Sequence, residues 1–257
     1  MPAMRLVKHI PNALTCCNLL SGAISILFIS QGRYDLPLLL MGIGAAFDFL
    51  DGFAARLLKA YSPVGKELDS LADLISFGLV PALLLQQRYT AVVAAHQLPP
   101  VLGWFPLLLA AFSAVRLAKF NLDERQTENF IGLPTPAAAL FVATGLYYSE
   151  CIASVNGWMA TLLGHPLFIP VLTLVLCYLL LCELPMFSLK VKSLRWKDNQ
   201  IRYTFLVLIG LALLVWIVSQ EPLAGWLPFI LATYLILNLI QALLLKLSKK
   251  KINNHEN

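Results

Sequence analysis

At 257 residues, 59% hydrophobic and only 13% charged, the chain is too apolar for a soluble globular protein. Its formal net charge of +5 is not gathered into a separate basic domain, which argues against nucleic-acid binding. Apolar runs long enough to cross a bilayer recur along the whole chain, so the expected fold class is all-α, a polytopic membrane helix bundle.

Eight such spans are expected, at roughly residues 10–31, 36–58, 70–88, 101–119, 135–154, 164–183, 203–219 and 225–247. They divide into a six-helix core over 1–183, a cytoplasmic basic loop over 184–202, and a helix pair with a basic tail over 203–257. The first span starts beside Arg5 and Lys8, as a signal peptide would. It carries Asn18 and Ser21, however, and shows no clear small-residue cleavage site, so it is read as an uncleaved helix. With the first loop taken as outside, Arg33 and Arg88 are the two basic residues on that side; the other seventeen lie on the opposite side. The positive-inside rule then places both termini in the cytoplasm of a multi-pass protein of the cell membrane. Lys249, Lys250 and Lys251 are expected to touch anionic lipid head groups.

In chain order, the first span opens with I-P-N-A-L-T-C-C-N-L-L-S-G, where Pro11 suits a first helical turn. Asn12, Thr15 and Asn18 add polar atoms at helical spacing. Two readings stand side by side: capping with interhelical hydrogen bonds, or contact with a polar ligand at the cytoplasmic surface. Gly22 and Ala23 would let another helix approach. The second span is apolar through Phe47 and then turns acidic. From Asp48 to Asp73 the chain reads D-F-L-D-G-F-A-A-R-L-L-K-A-Y-S-P-V-G-K-E-L-D-S-L-A-D. Asp48, Asp51 and Ala55 share one face of a helix at i, i+3 and i+7, and Asp69 and Asp73 share a face of the next at i and i+4. Tyr61, Ser62, Pro63 and Gly65 mark the turn between them. The fourth span runs into R-L-A-K-F-N, where Arg116, Lys119 and Asn121 leave the membrane on the aspartate side.

Carboxylates at membrane depth are costly and mark a functional site. An antiparallel helix pair would point four of them into one space, and two divalent metal ions answer that charge most directly. Two cations about 3.5–4 Å apart suit phosphoryl transfer, since they stabilise entering and leaving oxygens together. An oxygen-only ligand set without His or Cys fits Mg2+ or Mn2+. Gly52 leaves room for a bulky ligand beside Asp51, though a packing role is equally open to it. Arg56 could pair with an aspartate or hold a phosphate. One carboxylate must also act as base toward an incoming hydroxyl.

This stretch resembles the signature of the CDP-alcohol phosphotransferase family, D-x2-D-G-x2-A-R-x8-G-x3-D-x3-D, at every defined position: Asp48, Asp51, Gly52, Ala55, Arg56, Gly65, Asp69 and Asp73. The resemblance implies a six-helix membrane core, divalent-metal dependence, and transfer of a substituted phosphate from a CDP-linked donor to an alcohol with release of CMP. It also implies that Asp48, Asp51 and Asp69 ligate metal, with Asp73 as general base and a possible further ligand. Gly52 and Ala55 would receive the cytidine, with Arg56 and Gly65 in support; Asn12 and Thr15 are placed with them on the donor side. Outside the signature, I-P-N-A-L-T-C-C-N-L-L-S-G, R-L-A-K-F-N, F-I-G-L-P-T-P-A-A-A and S-L-R-W-K-D-N are similar to segments of the membrane-bound phosphatidylserine synthases. That likeness implies CDP-diacylglycerol and L-serine as substrates, surrounding membrane lipids and a homodimer. Arg116, Lys119 and Asn121 are then candidates for the acceptor, although interfacial anchoring accounts equally for the two basic residues. Sister enzymes in the same core use glycerol 3-phosphate or inositol phosphate.

A cation- or proton-coupled transporter is the competing class, since intramembrane acids also mark ion pathways. Transporters place such sites near the midplane between repeats, whereas these acids lie toward one surface and no repeat is evident. The five cysteines form no CxxC pattern and read as small packing residues. The four histidines, His96 and His165 among them, lack metal-ligand spacing.

Overall fold

A computed structural model describes residues 9–123, 130–152, 157–186, 203–212, 214 and 228–240. Nine helices lie among the described residues: α1 (Ile10–Ile29), α2 (Asp35–Leu57), α3 (Pro63–Ala95), α4 (Pro100–Leu122), α5 (Thr135–Tyr147), α6 (Trp158–Gly164), α7 (Phe168–Leu181), α8 (Tyr203–Ala212) and α9 (Pro228–Ile240). Two short strands, β1 (Phe130–Ile131) and β2 (Pro185–Met186), pair antiparallel with Phe130 opposite Met186. The outward surface of the long helices is apolar: Leu27, Phe49, Phe53 and Leu57 are all at least half exposed. In a soluble protein such a surface would be a liability, whereas lipid satisfies it.

The inward faces carry the small and polar residues. Along α1 the buried positions are Pro11, Thr15, Asn18, Ser21, Gly22, Ser25 and Ile29, a stripe at helical spacing. That stripe lets α1 approach α2 and α3 closely. A Cβ on Gly22 would lie 2.6 Å from Ser76 Oγ and 2.9 Å from Ser76 Cα, and one on Gly44 would lie 2.9 Å from Asn18 Oδ1. This is the small-residue packing that membrane helices use where apolar burial drives nothing.

α3 is a single 33-residue helix with a π-helical segment, Leu74–Leu79, between two α-helical lengths. Pro81 explains the break: it has no N–H, and its ring crowds the carbonyl one turn back. The ladder shifts register there, and the Val80 N–H reaches Ile75 O, five residues back. Asp73 therefore ends a regular α-helical turn immediately before the bulge.

The expectation of about eight transmembrane helices is corrected. Among the described residues, four helices, α1 to α4, are long and apolar enough to cross a membrane, or five if the bent pair α6–α7 is one span. The expected sixth span is broken by an 86° bend, because His165 precedes Pro166 and is driven to extended backbone, with ψ 129°. What remains, α7, has 14 residues, about 21 Å at 1.5 Å per residue and short of a ~30 Å hydrocarbon core. α5 has 13 α-helical residues before passing into a π-helical turn at Tyr148–Ile152. Over their described residues, α8 and α9 are shorter than a bilayer crossing. Most of the expected basic loop, at 187–202, and the tail beyond residue 240 lie outside the described residues.

At the end of the bundle away from the aspartates, Arg88 on α3 pairs with Glu150 at 3.1 Å. Burial, with Glu150 nearby, pushes the Tyr34 phenol up to about 12. Arg33 and Asp35 form an exposed bidentate pair at 2.7 and 2.5 Å, a contact of little energetic worth in water.

Candidate active site

The turn between α2 and α3 aims the aspartates. α2 ends with Lys59 in the left-handed region at φ 50°. The Ala60 N–H reaches Ala55 O at 3.0 Å and the Lys59 N–H reaches Arg56 O at 3.3 Å. These are the two bonds of a Schellman closure, here without the usual glycine. α3 then starts on Ser62, whose Oγ accepts the Gly65 N–H at 2.9 Å, with Pro63 in the first turn. Glycine eases the approach here, since a Cβ on Gly65 would lie 3.0 Å from both Asn12 Oδ1 and Ser62 Oγ, closer than an ordinary side-chain contact.

The helix hairpin brings Asp48, Asp51 and Asp69 together, with one carboxylate oxygen of each within 4.8 Å of the others. Asp48 also lies in side-chain contact with Asp73. Asp51 is buried and accepts a 2.5 Å hydrogen bond from Thr15 Oγ1, which also lies 3.0 Å from Pro11 O. Asp73 accepts from Asn18 Nδ2 at 3.2 Å. Among the described residues, no lysine or arginine forms an ion pair with any of the four. Among the described residues, Asp69 Oδ1 is buried without a hydrogen-bond partner. Three converging carboxylate oxygens, with an unpartnered oxygen on Asp69 and no cationic side chain paired with them among the described residues, fit a hard divalent cation. The cluster is able to coordinate one such ion.

Beside it opens a cavity of about 490 Å3 lined by Thr15, Asp51, Gly52, Ala55, Gly65 and Asp69, among others. Nothing lies within 4 Å of where a Gly52 Cβ would point. Packing between the described helices therefore does not account for that glycine, which lines the cavity. Asn12 and Thr15 of α1 line the same cavity, which joins the first helix to the aspartate hairpin.

The other expected residues sit elsewhere. Arg56 is exposed and donates from Nε to Gly52 O of its own helix at 3.1 Å, apart from the aspartates and outside the cavity lining. Asn121 is a tether: its Nδ2 donates to Ser70 Oγ at 2.8 Å and its carbonyl accepts from Lys66 Nζ at 2.7 Å. Arg116 is buried, donates from Nε to Leu133 O at 3.1 Å, and lies 4.9 Å from the Phe120 ring centroid. It lines a second, smaller pocket together with Lys119.

Two residues escaped the sequence reading as site members. Lys66 and Tyr61 line the main cavity; both lie in the turn region, where exposure hides function from any apolar pattern. Asn18 was visible as a polar residue, but its partner on α3 was not. The signal was its spacing of three from Thr15, which places both on the inward stripe.

The family model of the CDP-alcohol phosphatidyltransferases matches residues 8–169. The chain is 34% identical over 134 residues to a CDP-diacylglycerol–serine O-phosphatidyltransferase of Bacillus subtilis, covering 52% of this chain and 73% of that protein. It is 37% identical over 151 residues to an archaetidylserine synthase of Methanothermobacter thermautotrophicus, covering 56% and 62%. A CDP-diacylglycerol–serine O-phosphatidyltransferase of Mycobacterium leprae is 34% identical over 163 residues, covering 60% and 52%. The family model spans the aspartate hairpin, and with well over half its residues matched, the chain belongs to the CDP-alcohol phosphatidyltransferase family.

Proposed function

We propose that this protein transfers the phosphatidyl group of CDP-diacylglycerol to the hydroxyl of L-serine, giving phosphatidylserine and CMP. The observation that carries the reading is the three-carboxylate cluster at the wall of a cavity floored by Gly52 and Ala55. The relatives named for serine transfer to CDP-diacylglycerol, and one for archaetidylserine synthesis, favour serine as acceptor. A transporter needs no such donor cavity, and the family assignment speaks against that class.

In this mechanism Asp48, Asp51 and Asp69 would hold a divalent cation, Mg2+ or Mn2+, and Asp73 would contribute to a second. The metal supplies charge neutralisation to the diphosphate when bound. Gly52 and Ala55 admit the cytidine end, with Asn12 and Thr15 beside it, while the acyl chains stay in lipid. Asp73, oriented by Asn18, accepts the serine hydroxyl proton as that oxygen forms its bond to the phosphorus bearing diacylglycerol. The bond from that phosphorus to the bridging oxygen breaks, and CMP leaves with the electron pair. Thr15 holds Asp51 in one rotamer through the reaction, which is the positioning that phosphoryl transfer relies on.

The orientation belongs to the same proposal. Five of the seven described lysines and arginines, Arg56, Lys59, Lys66, Arg116 and Lys119, lie at the aspartate end, and Arg33 and Arg88 lie at the other. That bias favours an active site facing the cytoplasm. The deciding experiment is CMP release by purified protein given CDP-diacylglycerol, Mg2+ or Mn2+, and one acceptor at a time. Serine is expected to support turnover at least about tenfold above glycerol 3-phosphate or inositol phosphate, each tenfold being ~1.4 kcal/mol of discrimination. Turnover with a phosphorylated alcohol and none with serine would overturn the acceptor assignment.

A further inference from the structure

The inward residues of α3 recur as adjacent pairs four positions apart: Ala72 and Asp73, Ser76 and Phe77, Val80 and Pro81, Leu84 and Leu85, Arg88 and Tyr89, Val92 and Val93. All are buried except Asp73, which faces the aspartate cluster, and Arg88, which pairs with Glu150. Leu71, Thr90, Ala91 and Ala94, off this stripe, are exposed, while the small residues Gly78 and Ala82 beside it are buried with it.

A period of four does not fit an α-helix. At 3.6 residues per turn, four residues overshoot one turn by about 40°, so five steps carry Val93 roughly 200° around the axis from Asp73. An uninterrupted α-helix that buried the outer part of the stripe would therefore turn Asp73 toward lipid. The π-helical segment Leu74–Leu79 removes this conflict. Its ladder spans five residues instead of four, which absorbs one residue, or about 100° of rotation. The drift that remains is about 100°, the width of one helix face.

Each length of α3 is oriented by its own partner. On the inner side Asn18 of α1 reaches across the start of the segment, donating from Nδ2 to Asp73 Oδ1 at 3.2 Å and accepting at its carbonyl from Ser76 Oγ at 2.9 Å. On the outer side Arg88 meets Glu150 at 3.1 Å, and Tyr89 beside it is buried. Pro81 fixes where the two lengths join. Without an N–H it cannot donate to Phe77 O, so the ordinary ladder cannot close at that position.

We propose that the π-helical segment is a phase joint that aims Asp69 and Asp73 at Asp48 and Asp51 while the outer length of α3 keeps its packing, with Ser76 and Pro81 as positioning residues. This deepens the proposed phosphatidyl transfer and rests on it for the roles of the aspartates. One helix thereby meets two demands, burial of an apolar stripe in the bundle and presentation of two carboxylates to a metal site.

Deleting Leu79 tests the joint, because it removes the extra residue and lets the ladder close as a continuous α-helix. Asp69 and Asp73 then rotate by about 100° relative to the outer length. Two readouts apply to the purified protein: the rise in Tm from EDTA to Mg2+, and CMP release from CDP-diacylglycerol and L-serine. The deletion is expected to abolish the metal-dependent rise and to lower CMP release at least about 100-fold. An alanine inserted after Leu74 in the same variant returns the missing residue to the segment and restores both. Pro81→Ala keeps the residue count, and it lowers kcat about tenfold with KM for CDP-diacylglycerol within about twofold, a split that loss of stability alone does not produce. A Leu79 deletion that keeps the metal-dependent rise and full CMP release would overturn the phase joint and leave the reaction standing. An unaltered kcat in Pro81→Ala would do the same if the deletion does not fold. Unsubstituted protein that gains Tm with Mg2+ but releases no CMP with any alcohol would overturn the reaction itself, while the metal readout still decides the joint.

Discussion

Asn18 Nδ2 donates to Asp73 Oδ1 over 3.2 Å, tying the first helix to the third across 55 positions of sequence. The asparagine is fully buried, and its backbone carbonyl accepts from Ser76 Oγ at 2.9 Å, within the π-helical segment. Gly44 faces its Oδ1 so closely that any Cβ there would displace it. Asn18 is thus fixed from α2 and α3 together, and it fixes one oxygen of Asp73.

A positioning role predicts a split between rate and binding. Asn18→Ala is expected to lower kcat about 10- to 100-fold, the cost of a small misplacement of a reacting group, with KM for CDP-diacylglycerol nearly unchanged. Gly44→Ala moves in the same direction by pushing the amide. Asp73→Asn abolishes proton transfer and loses turnover further, while titration calorimetry still registers donor binding. Asp51→Asn weakens metal and donor binding as well. Full turnover in Asp73→Asn would remove the base assignment.

The glycines separate two kinds of defect. Gly52→Ala adds a methyl group that meets nothing within 4 Å. It should leave Tm unchanged or raise it slightly, since glycine in a helix costs ~0.5–1 kcal/mol relative to alanine, while weakening donor affinity. Gly22→Ala forces a Cβ to within 2.9 Å of Ser76 Cα, a backbone atom that cannot turn aside. It should lower stability by about 1–3 kcal/mol through overpacking, read as a fall in Tm in detergent. A stable Gly22→Ala protein would mean that α1 and α3 separate more readily than their packing indicates.

The aspartate hairpin was legible because three local signals agreed: helical spacing of the acids, a Ser-Pro start, and small residues beside them. The cap on Ser62 and the convergence of Asp48, Asp51 and Asp69 follow directly from that pattern. The span count was not legible in the second half. Hydropathy sums over a window and is blind to His165-Pro166, where backbone sterics break an apolar run that composition alone would carry across the bilayer. Arg56 donates to a backbone carbonyl of its own helix, a local contact that no spacing in the sequence distinguishes from a hold on a phosphate.

Metal dependence should appear in stability as well as activity. Three carboxylate oxygens within 4.8 Å repel one another when no cation is present. In EDTA, Asp48→Asn is therefore expected to raise Tm above that of the unsubstituted protein by relieving this repulsion. With Mg2+ at about 100 times its Kd, the unsubstituted protein gains ~2.7 kcal/mol, several degrees at roughly 2–4 °C per kcal/mol, and the order reverses. A scanning-fluorimetry series over metal concentration checks both halves. The same order in EDTA and in Mg2+ would show that the aspartates do not bind the ion.

The orientation of the site decides how substrates arrive. In the proposed reaction, water-soluble serine and CMP pass through the mouth where α2 ends and α3 begins, while the donor's acyl chains stay in lipid beside the exposed apolar side chains of Phe49, Phe53 and Leu57. Positions suited to test this lie at opposite ends of the helices: Glu67, exposed in the first turns of α3, and Gln31, exposed in the turn between α1 and α2. In a background lacking Cys16, Cys17, Cys151, Cys177 and Cys182, Glu67→Cys is expected to react with an impermeant thiol reagent only from the cytoplasmic face. Gln31→Cys is expected to react only from the outer face. Labelling in the reverse sense would set five of the seven described basic side chains on the outer surface, against the charge bias of membrane insertion. It would also open the donor cavity away from the compartment that supplies nucleotide-linked substrates, and the proposed reaction could not run as derived.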